Sequence, residues 1–187
     1  RRSLGRRTTG LGANVDAKPE HLKQFAVMGH FFTQVILKKE NPRVGLLSIG
    51  EEKEKGNQLT QAVLPMLEES NLNFIGNIES KDFFKGKADV VVCDGFVGNS
   101  VLKFGEAIYE FIMKRVKIEC KKSVFSIIGA LLLKPALTRL KKSIDYEEFG
   151  GAPLLGVNGA SVIAHGSSNA KAIKNAIKTA FHLVEAD

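Results

Sequence analysis

Tryptophan is absent from this 187-residue sequence, and tyrosine and cysteine occur only twice each. Two cysteines cannot build a disulfide framework, which excludes the small disulfide-stapled class and suggests a reducing compartment. Only two Tyr, no Trp and no recognised RNA- or DNA-binding motif argue against a nucleic-acid-binding module. No apolar run approaches the ~18 residues that a membrane-spanning helix needs. The Arg-rich start lacks a following apolar region, so no signal peptide is expected. There is no internal repeat, no low-complexity segment, no zinc-like ligand cluster and no evident Ser-His-Asp arrangement.

What is present has the balance of a folded α/β protein: 44% hydrophobic residues and 25% charged ones. The formal net charge is +7, and its placement matters more than its size. Arg1, Arg2, Arg6 and Arg7 open the chain, and much of the remaining excess falls between Lys103 and Lys142. A basic face suits an acidic partner, although any single lysine is more often plain solvated surface. Cys93 ends the apolar run Ala88-Asp-Val-Val-Val-Cys93, where a free thiol behaves as a small buried hydrophobe rather than a nucleophile.

Along the chain, residues 1–12 lack periodicity and are expected to form an irregular basic arm, with an α/β domain over 13–187. A helix starts at Pro19 and runs to about Lys39, because proline suits a first helical turn. Arg43–Ile49, Ala88–Cys93 and Ala160–Ala164 are short apolar runs expected as interior strands, and Asn73–Gly76 is a weaker one. Helices are expected over Gln58–Ser70, Val97–Lys122, Val124–Lys142 with a break or kink near Pro135, and Asn169–Glu185. Strands alternating with helices predict a parallel-dominated sheet with helices on both faces, a three-layer Rossmann-like arrangement. A helical hairpin over 103–143 protrudes from it.

In such sheets ligands gather beyond the carboxyl ends of the strands. Three loops are expected there. They are Ile49–Asn57, Asp94-Gly-Phe-Val-Gly-Asn99 and His165-Gly-Ser-Ser-Asn169. The last passes from an apolar strand through small residues into a helix, whose first-turn N–H groups and positive dipole end favour a phosphate-like anion. A capped strand–helix junction with no ligand is the plainer reading of that stretch alone. The second junction at Asp94 tips the balance. Lys55, Asn57, Asp94, Asn99, His165 and Ser167 together could bind phosphate and polarise a carbonyl.

These segments resemble a known family. Gly12–His21, Asn41–Glu52, Lys55-Gly-Asn57, Asp94–Asn99 and Tyr146–Asn175 are similar to the bacterial phosphate acyltransferases of phospholipid synthesis, over about residues 12–185. Those chains are longer, and their opening strand with its Met-Gly-Gly loop has no counterpart here, so the sequence looks like their C-terminal portion. The resemblance implies transfer of a long-chain acyl group from acyl carrier protein to inorganic phosphate, with no cofactor, no metal and no covalent enzyme intermediate. It suggests Lys55 and Asn99 as catalytic residues. By chemistry Lys55 suits phosphate charge and Asn99 suits the carbonyl oxygen, while His165 is the expected proton donor to the leaving thiol. Asn57, Asp94, Gly95, Gly98, Gly166, Ser167, Ser168 and Asn169 are the expected substrate- and phosphate-binding positions. Lys53 competes with Lys55, and Asn99 could merely cap its helix. A phosphotransacetylase-like enzyme acting on acyl-coenzyme A, or a non-catalytic basic binding fragment, are the competing readings.

The segment Val124–Leu137 is apolar nearly all round, with Lys114, Arg115, Lys117, Lys121 and Lys122 on one side and Lys134, Arg139, Lys141 and Lys142 on the other. Buried core or a homodimer interface is one expectation. The other is a tip that dips into an anionic membrane surface through Phe125, Ile127, Ile128, Leu131 and Leu132, holding a cytoplasmic protein peripherally on the inner face.

Overall fold

The computed structural model describes residues 9–11, 14–83, 85–144, 151–164, 166 and 168–185. The chain divides into two compact units, 1–104 and 105–187, each taken by itself below.

The first unit is built on four short strands, β1 (Thr9–Leu11), β2 (Val44–Leu47), β3 (Phe74–Ile78) and β4 (Val90–Val92), in the order β1-β4-β2-β3. All three pairings are parallel, with Leu46 beside Val92 and Leu11 also beside Val92. The valine-rich runs are buried on both faces, as parallel strands require. Val44, Leu46, Val90 and Val92 face a cluster completed by Leu22 and Ala26 of helix α1 (Pro19–Val35) and by Val63, Leu64 and Leu67 of α2 (Gln58–Glu68). Leu47, Val91 and Cys93 face the other way, with Ile78 and Ala88, and receive Val97 and Val101 from the start of α3 (Gly95–Cys120). Helices therefore cover both faces.

At the amino ends of the central strands Asp89, only 2% exposed, accepts hydrogen bonds from Arg43 N at 2.9 Å, Nε at 3.0 Å and Nη2 at 3.1 Å, and from Lys39 Nζ. Arg43 Nη2 also donates to the Gly86 carbonyl at 2.7 Å. Burial alone would raise the Asp89 pKa, but the Arg43 and Lys39 hydrogen bonds outweigh it and hold the carboxyl at about 2. This cluster pins β2 to β4.

The second unit holds the rest of α3, helix α4 (Val124–Ile144), the antiparallel pair β5 (Ala152–Pro153) and β6 (Val162–Ile163), and α5 (Ala170–Glu185). Ala172 and Ala176 of α5 are buried, and α5 packs on β5 and β6. Asn169 caps α5, its Oδ1 accepting from Ala172 N at 3.0 Å.

Four expectations change in detail. Residues 9–11, expected in the irregular arm, form the edge strand β1, because backbone pairing with β4 suffices for a strand whatever the side-chain pattern. The first helix stops at Val35, and Lys38 then adopts a left-handed φ of 54°. Of Ala160–Ala164 only Val162–Ile163 is strand, paired antiparallel with β5 rather than placed inside the parallel sheet, and Ile163 is 57% exposed. Helix α4 runs through Pro135 without a break; the proline costs one intrahelical N–H donor, not the helix.

Candidate functional site

Because β1, β2, β3 and β4 are parallel, their carboxyl ends share one edge, and the loops after β2 and β4 leave neighbouring strands there. That edge carries Lys55, Asn57, Asp94 and Asn99. His165 and Ser167 lie outside the described residues. Gly166, Ser168 and Asn169 belong to the second unit, where Asn169 serves as the α5 cap.

The loop after β2 folds back on itself. Gly50 is buried, and a Cβ there would lie 2.6 Å from Glu52 Oε2 and 2.9 Å from Lys55 Cγ, so the glycine lets the lysine stem cross the backbone closely. Lys55 N donates to the Glu52 carbonyl at 3.1 Å. Gly56 has φ +112°, and a Cβ there would come within 2.1 Å of Thr60 Oγ1 and 2.9 Å of Ser48 Oγ; no other residue fits. Asn57 then caps α2, its Oδ1 accepting from Thr60 N at 2.9 Å.

The two candidate lysines separate clearly. Lys53 Nζ lies 2.6 Å from Glu68 Oε1 on α2, and that contact raises its pKa. Lys55 is exposed and has no ion pair with another described residue. The loop's uncommitted cation is Lys55.

At the second junction Asp94 is the helix cap. Its Oδ1 accepts from Val97 N at 2.8 Å and its carbonyl accepts from Gly98 N at 3.0 Å. Gly95 N donates to the Asn14 carbonyl at 2.9 Å, tying the start of α3 to the loop after β1. Asn99 therefore does not cap α3. It stands a turn inside the helix with its side chain exposed. Gly98 lies against Cys93, where a Cβ would meet Sγ at 3.0 Å. Burial and then the neighbouring Asp94 push the Cys93 thiol up to about 11. A thiol so shielded is no nucleophile.

Two supporting residues were not singled out by their sequence context. Asn77, 4% exposed on β3, donates from Nδ2 to the Glu52 carbonyl at 2.9 Å and so props the loop from beneath, while its Oδ1 has no partner. Ser48 Oγ, also buried and unpartnered, sits against Gly56. An amide inside the apolar strand Phe-Ile-Gly-Asn-Ile was the one available signal. Both helices that begin at this edge, α2 and α3, present their positive dipole ends to it. With Lys55 and the Asn99 amide, the edge can hold a polyanion and donate a hydrogen bond to a developing oxyanion. Among the described residues, no group of three His, Cys, Asp or Glu is placed to hold a metal ion.

Comparison with known proteins identifies the family. The family described as "Fatty acid synthesis protein" matches residues 9–187. The chain is 55% identical over 174 residues to the "Phosphate acyltransferase" of Thermodesulfovibrio yellowstonii, covering 93% of this chain and 50% of that protein. It is 51% identical over 177 residues to the protein of that name from Aquifex aeolicus, covering 95% of this chain and 52% of the relative. For the one from Halothermothrix orenii the identity is 51% over 181 residues, 96% of this chain and 54% of the relative. The chain thus spans about half the length of the curated relatives it matches.

Proposed function

This chain belongs to the fatty acid synthesis protein family, and from that premise we propose that it serves transfer of a long-chain acyl group from acyl carrier protein to inorganic phosphate. The observation that carries this reading is the pairing of Lys53 with Glu68, which leaves Lys55 as the cation available at the carboxyl edge, one strand away from Asn99. A phosphate oxygen attacks the thioester carbonyl, the carbonyl oxygen takes up negative charge, and the C–S bond breaks. The products are acyl phosphate and the carrier's thiol, whose proton comes from His165 in this scheme. Lys55 holds the phosphate and the Asn99 amide donates to the oxyanion. Most of the acceleration then comes from positioning and fixed dipoles, with no cofactor required.

The test is acyl phosphate formation from long-chain acyl carrier protein and phosphate, run beside a full-length relative. Acyl-coenzyme A in a parallel arm separates this reading from a phosphotransacetylase-like enzyme. Failure of both thioesters with this chain and success with the relative would assign the activity to a larger protein.

The α3–α4 hairpin supports a second part of the proposal, reversible attachment to an anionic membrane surface on the cytoplasmic side. Phe125 is 88% exposed and Leu132 78%, and Ile128 lies on the same outer side of α4. No helix among the described residues is long and apolar enough to cross a membrane, so attachment through them would be peripheral. The basic flanks would also attract the acidic carrier, and the remaining exposed apolar face suits a homodimer. Ile128→Glu/Leu132→Glu should abolish co-sedimentation with phosphatidylglycerol vesicles; unchanged binding would remove the hairpin from that role.

A further inference from the structure

The β2–β3 pairing changes register along its length. Val44 stands beside Phe74, but Leu46 stands beside Asn77, so three steps along β3 answer two along β2. Gly76 takes up the extra residue, its φ of +86° suiting a one-residue bulge. The effect shows in the packing. Phe74 packs against the cluster shared with α1 and α2, whereas Ile75 and Ile78 pack with the opposite one. Strict alternation would put residues 74 and 78 on one face. With the bulge, Asn77 comes to the face of its neighbour Leu46, the side of α2.

There its Nδ2 donates to the Glu52 carbonyl at 2.9 Å, and the same carbonyl accepts from Lys55 N at 3.1 Å. One oxygen thus joins a buried strand amide to the lysine. From α2, Gln61 Nε2 donates to the carbonyls of Glu54 at 2.9 Å and Gly56 at 3.3 Å, the two residues that flank Lys55. Charged neighbours in the loop are tied down as well, Glu51 to Lys87 at 2.8 Å and Lys53 to Glu68 at 2.6 Å. The turn into α2 is already made by Gly56 and the Asn57 cap, so the two side-chain amides add position rather than connection. They hold the backbone at 52, 54 and 56, while the side chain of Lys55 stays exposed. Fixing the backbone on both sides of a long side chain narrows the space its ammonium group samples, which favours a bound partner that needs the charge in one place.

We infer that Asn77, aimed by the bulge at Gly76, and Gln61 are positioning residues that hold Lys55 for phosphate. The inference rests on the proposed role of Lys55 and adds how the fold fixes it. Neither amide acts on the reacting atoms; each acts through the lysine.

Amide exchange on the intact chain tests the hold directly. Asn77→Ala removes the amide that steadies the Glu52 carbonyl and should speed exchange at the Lys55 N–H by about tenfold, the worth of one hydrogen bond, while the amides of β2 keep wild-type rates. Gln61 is exposed, so Gln61→Ala leaves the core intact and keeps the test open should Asn77→Ala fold poorly; it too should speed exchange at residues 55 and 56. Titration with inorganic phosphate, followed by the backbone resonances of residues 55–57, supplies the second readout. Each variant should weaken phosphate by about tenfold. Neither should weaken it further once Lys55→Ala is present, because residues that act through one partner are not additive. A residue that served folding alone would weaken phosphate equally in both backgrounds. If Lys55→Ala itself leaves phosphate binding unchanged, the proposed role of Lys55 fails, while exchange at Lys55 still decides the hold. Unchanged exchange at Lys55 in both variants, or losses of affinity that add to that of Lys55→Ala, would overturn the inference.

Discussion

Replacing Asp89 with asparagine tests the anchor that holds the two central strands in register. The carboxylate is 2% exposed and accepts from Arg43 through the backbone N–H, Nε and Nη2, and from Lys39. Its pKa falls from 3.8 to about 2, and the difference corresponds to about 2 kcal/mol of folding stability. Because the folded-state pKa is the lower one, that stabilisation is fully present above the unfolded pKa and lost as pH falls through the folded value. The window lies between about pH 5 and pH 2, and about half of the effect is gone by pH 3. At neutral pH Asp89→Asn should cost about 1–3 kcal/mol, because the buried amide cannot accept all the hydrogen bonds the carboxylate took, while Arg43 and Lys39, about a third exposed, keep part of their hydration. Urea unfolding followed by circular dichroism at pH 7, 5 and 3 gives both quantities. The variant should start lower and lose less between pH 5 and 3 than wild type does. Parallel acid limbs for the two proteins would refute the assignment of this stability to Asp89.

Lys55→Ala and Asn99→Ala should each lower turnover of an active protein by about a hundredfold or more, whereas Lys53→Ala should stay within a few-fold because Lys53 is committed to Glu68. Steady-state rates with carrier-bound substrate decide this, and equal losses at both lysines would count against it. Gly56→Ala should destabilise the loop after β2 by about 1–3 kcal/mol, as a side chain at φ +112° is strained; faster amide exchange at Asn57–Thr60 would report it. With its thiol pushed up to about 11, Cys93 should react far more slowly with a thiol reagent at pH 8 in the folded protein than after denaturation.

The elements legible in the sequence were those whose burial writes a pattern. Val44–Leu47 and Val90–Val92 are buried on both faces, so they appear as unbroken apolar runs. Strand β1, Thr-Gly-Leu, carries no such mark; it exists through its hydrogen bonds to β4. Val162–Ile163 carries the mark but sits in an exposed two-stranded pair. At the site, glycines and polar residues located the two loops, yet the roles of Asn57 and Asp94 as helix caps depend on backbone directions that composition does not encode. Lys53 pairs with Glu68, a residue on the far end of α2 that only folding brings near, and this contact is what favours Lys55 over Lys53 in the proposal.

The hydrogen bond from Gly95 N–H to the Asn14 carbonyl links events that look separate. Among the described residues strand β1 has three residues and a single neighbour, which places it among the segments that open before the rest of a fold does. Asn14 follows β1 closely in the chain, so the hydrogen bond it accepts from the first turn of α3 depends on β1 staying paired. Asn99 sits little more than one turn further on, so the orientation of its amide is coupled to how often an edge strand frays. Contacts that lengthen the closed lifetime of β1 would therefore sharpen the site without touching it, and amide exchange at Gly95 would register the change first.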